Sequence, residues 1–244
     1  MKILLIGDIH GNIEALDAVL TKEVNKIDNV IVLGDIVGYM ANPKEAIDSV
    51  KDFDCILGNH DYAMCNPDMI WWFNSVARQA LTWTKKQLRE EDFTFLKGLP
   101  FQRIYKNENF TVVHGCLGDD PFEYLLDIYQ AEKNFKLMST DLLFVGHTHV
   151  PIIWQEDSLE NIKELTTIDY DKEILLDEHL KYIFNIGSVG QPRDEDPRSC
   201  YVIYDTEKYS VCYRRQEYDI NKTVRKIAEN DLPKFLYERL MLGI

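Results

Sequence analysis

Four apolar runs in this chain stop at a glycine followed by a polar residue, and that pattern constrains the fold most tightly. They are Lys2–Ile6 before Gly7-Asp8, Asn29–Leu33 before Gly34-Asp35, Cys55–Leu57 before Gly58-Asn59, and Leu142–Val145 before Gly146-His147. A short unbroken run of Ile, Leu and Val is apolar on both faces, which suits a strand buried inside a parallel sheet. Between the first two runs, Ile13, Leu16, Val19, Leu20 and Val24 recur at helical spacing and predict a helix over Asn12–Val24. A second helix is predicted over Pro43–Val50. Repeated strand–loop–helix units imply parallel strands joined by right-handed crossovers.

The segment Tyr62–Pro100 lacks strand signals and predicts two helices, Ile70–Leu88 and Glu91–Leu96. Phe101–Tyr105 and Phe110–Val113 read as a hairpin turning at Lys106–Asn109, and Tyr129–Met138 as a helix. Ile152–Tyr213 is expected to be mostly β, with an acidic, less periodic stretch over Glu156–Glu178, and Asp219–Leu242 to be helical. Without internal repeats or low-complexity linkers, the chain reads as one domain, 1–244, with a helical insertion over about 62–100.

Composition narrows the partners. The net charge of −14 argues against broad electrostatic binding to nucleic acid or to an anionic membrane. It leaves small phosphorylated molecules open, because bound metal ions reverse the local sign of a site. The five cysteines are scattered without a CxxC pair, as expected of reduced thiols in a cytoplasmic protein. The N-terminal apolar run meets acidic residues at once, unlike a signal peptide, and no run reaches the length of a membrane span.

The candidate chemistry lies at the ends of the strand-like runs. Five of the six histidines sit in Gly-Asp-Ile-His (His10), Gly-Asn-His-Asp (His60), Val-His-Gly (His114) and Gly-His-Thr-His (His147 and His149). Open α/β sheets bind ligands beyond the carboxyl ends of their strands, so these histidines can meet Asp8, Asp35 and Asn59 on one edge. Imidazole mixed with carboxylate suits divalent Mn, Fe or Zn, with Mn favoured in vitro. Two ions about 3.5–4 Å apart need a carboxylate shared between them, and such a pair clamps the attacking and leaving oxygens of phosphoryl transfer. One Asp-x-His after a strand is weak as a signal. The whole set is strong.

In chain order, GDIHGN (7–12), GDIVGY (34–39), GNHD (58–61), VVHG (112–115) and GHTH (146–149) closely resemble the five blocks of the calcineurin-like metallophosphoesterases. The resemblance runs from residue 3 to about 200 and implies a four-layer αββα sandwich around a binuclear centre. It implies that Asp8, His10 and His149 hold one ion, that Asn59, His114 and His147 hold the other, and that Asp35 bridges them. A metal-bridging hydroxide would attack, and His60 would match the family's non-ligand histidine, which stabilises or protonates the leaving oxygen.

Two departures separate the chain from the protein Ser/Thr phosphatase branch. That branch carries Asp-Arg shortly after its second block, where this chain has Val37-Gly38-Tyr39, and Gly-Asn-His-Glu where this chain has Asp61. The Gly-Asp-Ile-Val-Gly-Tyr block and the loop Asn185–Arg193 look more like the small prokaryotic phosphodiesterases. The expected activity is therefore hydrolysis of a small phosphodiester or nucleotide, a dinucleoside polyphosphate among them. A protein phosphatase and a non-catalytic scaffold are the alternatives. Arg193 can replace the absent phosphate-gripping arginine or pair with Asp194 or Asp196, whereas Arg198 reads as a surface ion pair. Trp71, Trp72 and Phe73 can stack on a nucleobase, although helix packing is the commoner use of such a cluster. His179 and the acidic stretch read as solvated surface.

Overall fold

The computed structural model describes residues 1–165 and 167–244. Alternation of side chains along the strands decides the layering. In β1 (Lys2–Ile6), Ile3 and Leu5 enter one core while Leu4 and Ile6 enter another. α1 (Ile13–Glu23), β2 (Asn29–Val32), α2 (Pro43–Val50) and β3 (Asp54–Cys55) follow, and the three strands lie parallel. Leu16 and Val19 of α1, with Ala46, Ile47 and Val50 of α2, cover the Leu4/Ile6 face.

Next come α3 (Asn59–Cys65), a 3₁₀ turn over Pro67–Trp72, α4 (Ser75–Gln87) and α5 (Glu90–Lys97). The second sheet begins with the hairpin of β4 (Gln102–Tyr105) and β5 (Phe110–Val113), in which Tyr105 faces Phe110. After α6 (Ile128–Leu137) come β6 (Leu142–Val145), β7 (Ile152–Glu156), β8 (Ile162–Leu165), β9 (Ile174–Leu175) and β10 (Lys181–Asn185). The chain continues through β11 (Ser199–Asp205), β12 (Ser210–Gln216), α7 (Ile220–Glu229) and α8 (Lys234–Leu242). The strand orders are β3-β2-β1-β11-β12-β9 and β4-β5-β6-β10-β7-β8.

The inner faces meet where Ile3, Leu5, Ile31 and Leu33 pack against Phe110, Val112, Leu142, Phe144 and Phe184. The outer face of the second sheet, Val113, Leu143, Val145 and Ile183, is covered by Ala131 and Phe135 of α6. The result is helix, sheet, sheet, helix: the αββα sandwich. Register then aligns the strand ends. Ile6 pairs with Val32 and Val32 with Cys55 in one sheet, and Val145 pairs with Asn185 in the other. The loops that follow these strands emerge on one edge.

Two boundaries differ from expectation by more than a residue. The third strand is Asp54–Cys55 rather than Cys55–Leu57, because the Leu57 N–H leaves the sheet to donate to Pro100 O at 2.8 Å. The long helix over Ile70–Leu88 divides: the Asn74 side chain accepts from Ala77 N–H at 3.0 Å and starts α4 at Ser75, leaving Ile70–Trp72 in the 3₁₀ turn. α3, at the head of this region, begins at Asn59, and the Asp61 carboxylate accepts the Gly58 N–H at 3.2 Å. In the acidic stretch, Thr166 lies outside the described residues; β8 forms an edge of its sheet, and His179 is exposed. No helix among the described residues is long and apolar enough to cross a membrane.

Candidate metal centre

The residues at the strand ends are held in backbone conformations that ordinary side chains avoid. Asp8, His10, Asp35, His147 and His149 have φ of +51°, +52°, +51°, +67° and +64°. Each such residue costs on the order of 1–3 kcal/mol and persists only where its surroundings over-determine it. Here the loops after β1 and β2 are zipped together. Asp8 N–H donates to Gly34 O (3.0 Å), His10 N–H to Asp35 O (2.8 Å) and Gly11 N–H to Ile36 O (2.9 Å). Gly38, at φ +146°, must lack a side chain, because a Cβ there would lie 2.5 Å from His60 Nδ1 and 2.7 Å from His10 Nδ1.

Two groups of ligand-type atoms result. Asp8, His10, Asp35 and His149 offer atoms all within 4.8 Å of one another, as do Asp35, His114 and His147, and Asp35 belongs to both sets. His10 Nε2 and His114 Nε2 each lie 3.5 Å from Asp35 Oδ2. His149 Nε2 is 3.2 Å from Asp8 Oδ1, and Asn59 Oδ1 joins the second group 3.2 Å from His114 Nε2. All but Asn59, which is half-buried, are shielded from solvent.

The imidazoles are oriented from behind. His10 Nδ1 faces Val37 O (3.3 Å), His114 Nδ1 faces Leu33 O (2.7 Å), and His149 Nδ1 faces Gln191 O (2.6 Å). A ring that donates its Nδ1–H to a carbonyl carries a lone pair on Nε2, aimed here at the cluster. The ring nitrogens turned toward the cluster also face one another: His10 Nε2 to His149 Nε2 and His114 Nε2 to His147 Nδ1 are both 3.1 Å. Nitrogens so placed could hold a cation between them, His114 then giving up the proton that Asp35 otherwise favours. Burial drives the pKa of His10, His147 and His149 down and keeps them neutral. Burial opposes ionisation of Asp35, yet His114, His60 and His10 together hold its carboxyl well below the usual range. For His114 burial is outweighed by Asp35, which raises the imidazole to about 9. The residues present fit divalent metal.

Residues 1–209 match the family model of the calcineurin-like phosphoesterase superfamily domain. The chain belongs to that family. A Methanocaldococcus jannaschii protein described as uncharacterized is 39% identical over 99% of this chain and 98% of its own length. A metallophosphoesterase from Sphaerobacter thermophilus has a crystal structure that superposes with a TM-score of 0.89 at 38% identity, covering 100% of this chain and 99% of that one. A hypothetical protein from Pyrococcus horikoshii OT3 shares the fold at a TM-score of 0.79 and 20% identity, over 100% and 98% of the two chains. The family is metal-dependent, and membership implies phosphoester hydrolysis.

Beside the ligand-type residues of this phosphoesterase, His60 stands apart from both sets. Its ring meets those of His10 (4.6 Å), Tyr39 (4.5 Å) and Phe73 (4.9 Å), its Nδ1 is buried without a partner, and burial lowers its pKa to about 4. Its backbone N–H donates to Asp35 Oδ1 at 2.8 Å, tying it to the shared carboxylate. Arg193 does not pair with its neighbours. Asp194 bonds Arg215, and Asp196 bonds Arg198 at 2.6 Å. Arg193 instead lies over the Tyr39 ring at 5.9 Å, donates to Gln191 Oε1 at 2.9 Å, and its charge lowers the pKa of His149 and His60.

Three further residues, Asp61, Tyr124 and Arg239, shape the site outside the assigned ligands. Asp61 accepts N–H bonds from Ile36 (3.2 Å), Val37 (3.0 Å) and Gly58 (3.2 Å), locking the second loop to the third. Burial and the nearby Asp35 push its carboxyl up to about 7. Tyr124 stacks on His147 at 4.0 Å and 18°. Arg239 of α8 feels Arg193: burial and that neighbouring charge bring its guanidinium down to about 10. Its helix packs through Leu236 and Leu240 with Tyr39 and Met40, and Glu195 N–H donates to Gly243 O at 2.8 Å. The fourth position of the GNHD block was the only one of these with a signal in the sequence, a carboxylate directly after His60.

Proposed function

We propose that this phosphoesterase is a binuclear enzyme that hydrolyses a small phosphorylated substrate, a phosphodiester or a nucleotide, with dinucleoside polyphosphates among the candidates. The observation that supports this reading best is Asp35, the one carboxylate common to both ligand sets. In this assignment Asp8, His10 and His149 hold the first ion, Asn59, His114 and His147 the second, and Asp35 both. Divalent ions (Mn, Fe or Zn) held by these seven residues would supply the Lewis acidity that activates a water and offsets charge on the phosphoryl oxygens. His60 lies beside the shared carboxylate without being in either set, where it can stabilise or protonate the leaving oxygen. Arg193, free of carboxylate partners, grips the phosphoryl oxygens.

The domain assignment goes with this: one catalytic domain over 1–244, with 62–100 as a helical insertion flanking the site. Five free cysteines support a reducing, cytoplasmic setting. A protein phosphatase is disfavoured by Val37-Gly38-Tyr39 in place of Asp-Arg, and a scaffold by a ligand set that is complete. The test is a panel of aryl mono- and diesters, nucleotides and dinucleoside polyphosphates assayed with Mn, Fe, Zn and Mg. Failure to turn over any member with any metal sinks the enzymatic reading.

Two expected results arise here. Arg193→Ala raises KM by roughly tenfold or more with unchanged metal content, the worth of one charged hydrogen bond of about 1.5–3 kcal/mol. An unaltered KM returns Arg193 to a structural role. Mn at about a hundred times its dissociation constant stabilises the fold by about 2.7 kcal/mol for each ion bound, read as a rise in Tm that EDTA reverses. A Tm indifferent to both removes the metal centre from the account.

A further inference from the structure

A hollow of about 370 Å³ opens beside the metal residues, with Asn59, His60 and His147 on its inner side. Tyr39, Trp72, Phe73, Phe122 and Tyr124 form most of the remaining wall. Several of these rings are occupied with protein contacts. Tyr39 and Phe73 pack on His60, and Phe122 lies 5.6 Å from Tyr62 and 5.9 Å from Phe101. Tyr124 has one face on His147 and remains 44% exposed.

Trp72 is different. Its side chain is 83% exposed, although it is the largest apolar group on the rim. The expectation of helix packing therefore fails for it. Its backbone is nonetheless held: Arg78 Nη2 donates to the carbonyls of Trp71 (3.2 Å) and Phe73 (3.0 Å), which flank it, and the Arg78 guanidinium also covers the Trp71 ring at 4.9 Å. An indole left open on a held backbone beside the ligand-type residues offers a stacking surface.

The chemistry of the wall selects what stacks there. No Lys or Arg lines the hollow among the described residues, so it does not receive a second phosphate. Its one carboxylate, Asp120, accepts the Phe122 N–H through Oδ1 at 2.9 Å and keeps acceptor capacity for a donor on the ligand. Asp120 is exposed, so water can serve it when a plain aryl ring is bound, whereas a nitrogen heterocycle with an exocyclic amine can donate to it directly.

We propose that the organic group of the substrate is a nucleobase-type heteroaromatic ring, carried by the scissile phosphate and stacked on Trp72 in this hollow. The inference rests on the hydrolytic reading above and names the substrate class for it. Kinetics on two esters of equal charge test it: the methyl ester of adenosine 5′-monophosphate and the same ribose phosphate ester without the base. The base-bearing ester is expected to show a KM roughly tenfold lower or more, in line with base–aromatic stacking elsewhere. Trp72→Ala should collapse that ratio toward one, and Trp72→Phe should restore part of it. Equal KM values in the unmodified enzyme, or a ratio untouched in Trp72→Ala, overturn the proposal. Should neither ester be hydrolysed, adenosine binding separates the two ideas. Quenching of tryptophan fluorescence by adenosine that disappears in Trp72→Phe supports the stacking site even where the hydrolytic reading has failed. Quenching that is absent, or that is the same in both proteins, overturns it.

Discussion

Asp35→Asn is expected to empty the metal centre and to lower kcat/KM beyond the roughly 10²–10⁴-fold loss that removal of a single acid–base group causes. The substitution keeps size and shape, and the amide oxygen can still accept the His60 N–H now bound at 2.8 Å. What it removes is the negative charge common to both ligand sets. Asp8 would then be the sole anionic ligand among the seven residues assigned to two dications. Elemental analysis should show both ions depleted, and the rise in Tm with Mn should vanish. A variant that retains two ions and full activity would remove Asp35 from the bridging role.

His60→Ala is expected to do the opposite on one axis: both ions stay while turnover falls roughly 10²–10⁴-fold. His60 lies against the first ligand set, 4.6 Å ring to ring from His10, yet offers no atom to either set. Burial holds its imidazole neutral, with a pKa of about 4. The loss should fall on kcat rather than KM, because charge on the leaving oxygen develops only in the transition state. Depletion of metal in this variant would show His60 to be a ligand. Unchanged turnover would leave it a packing residue for Tyr39 and Phe73.

Local chemistry and tertiary contact contributed different parts of this molecule. Strands such as Leu142–Val145 are legible because an unbroken Ile/Leu/Val/Phe run can satisfy its apolar faces only between two layers. The helix over Ile13–Glu23 is legible for the same reason at a period of 3.6, and Asn12 caps it by accepting from Ala15 N–H at 3.2 Å. Where tertiary hydrogen bonds compete with local ones, legibility stops. Leu57 leaves its strand for Pro100, and Asn74 restarts a helix that the apolar pattern ran straight through.

By itself the sequence determined the four apolar runs, the glycine that ends each, and the order in which Asp, Asn and His follow them, since these depend on residue type and spacing alone. Only the tertiary structure decided that these residues share one edge, because that depends on level registers such as Ile6 with Val32 and Val145 with Asn185. It also decided the positive φ of Asp8, His10, Asp35, His147 and His149, a conformation that Asp and His tolerate better than most side chains but still at a local cost. For Asp8, His10 and Asp35 the zipped loops and the Asp61 carboxylate offset that cost across gaps of 25 residues and more, and the Asp8 carboxylate holds the His147 N–H at 3.1 Å. The same holds for Arg193 and Trp72. Their neighbours in sequence are carboxylates and aromatics that suggest pairing and packing. What freed Arg193 was Arg215, a distant residue that takes up Asp194, while Arg78 fixes the turn that leaves Trp72 open.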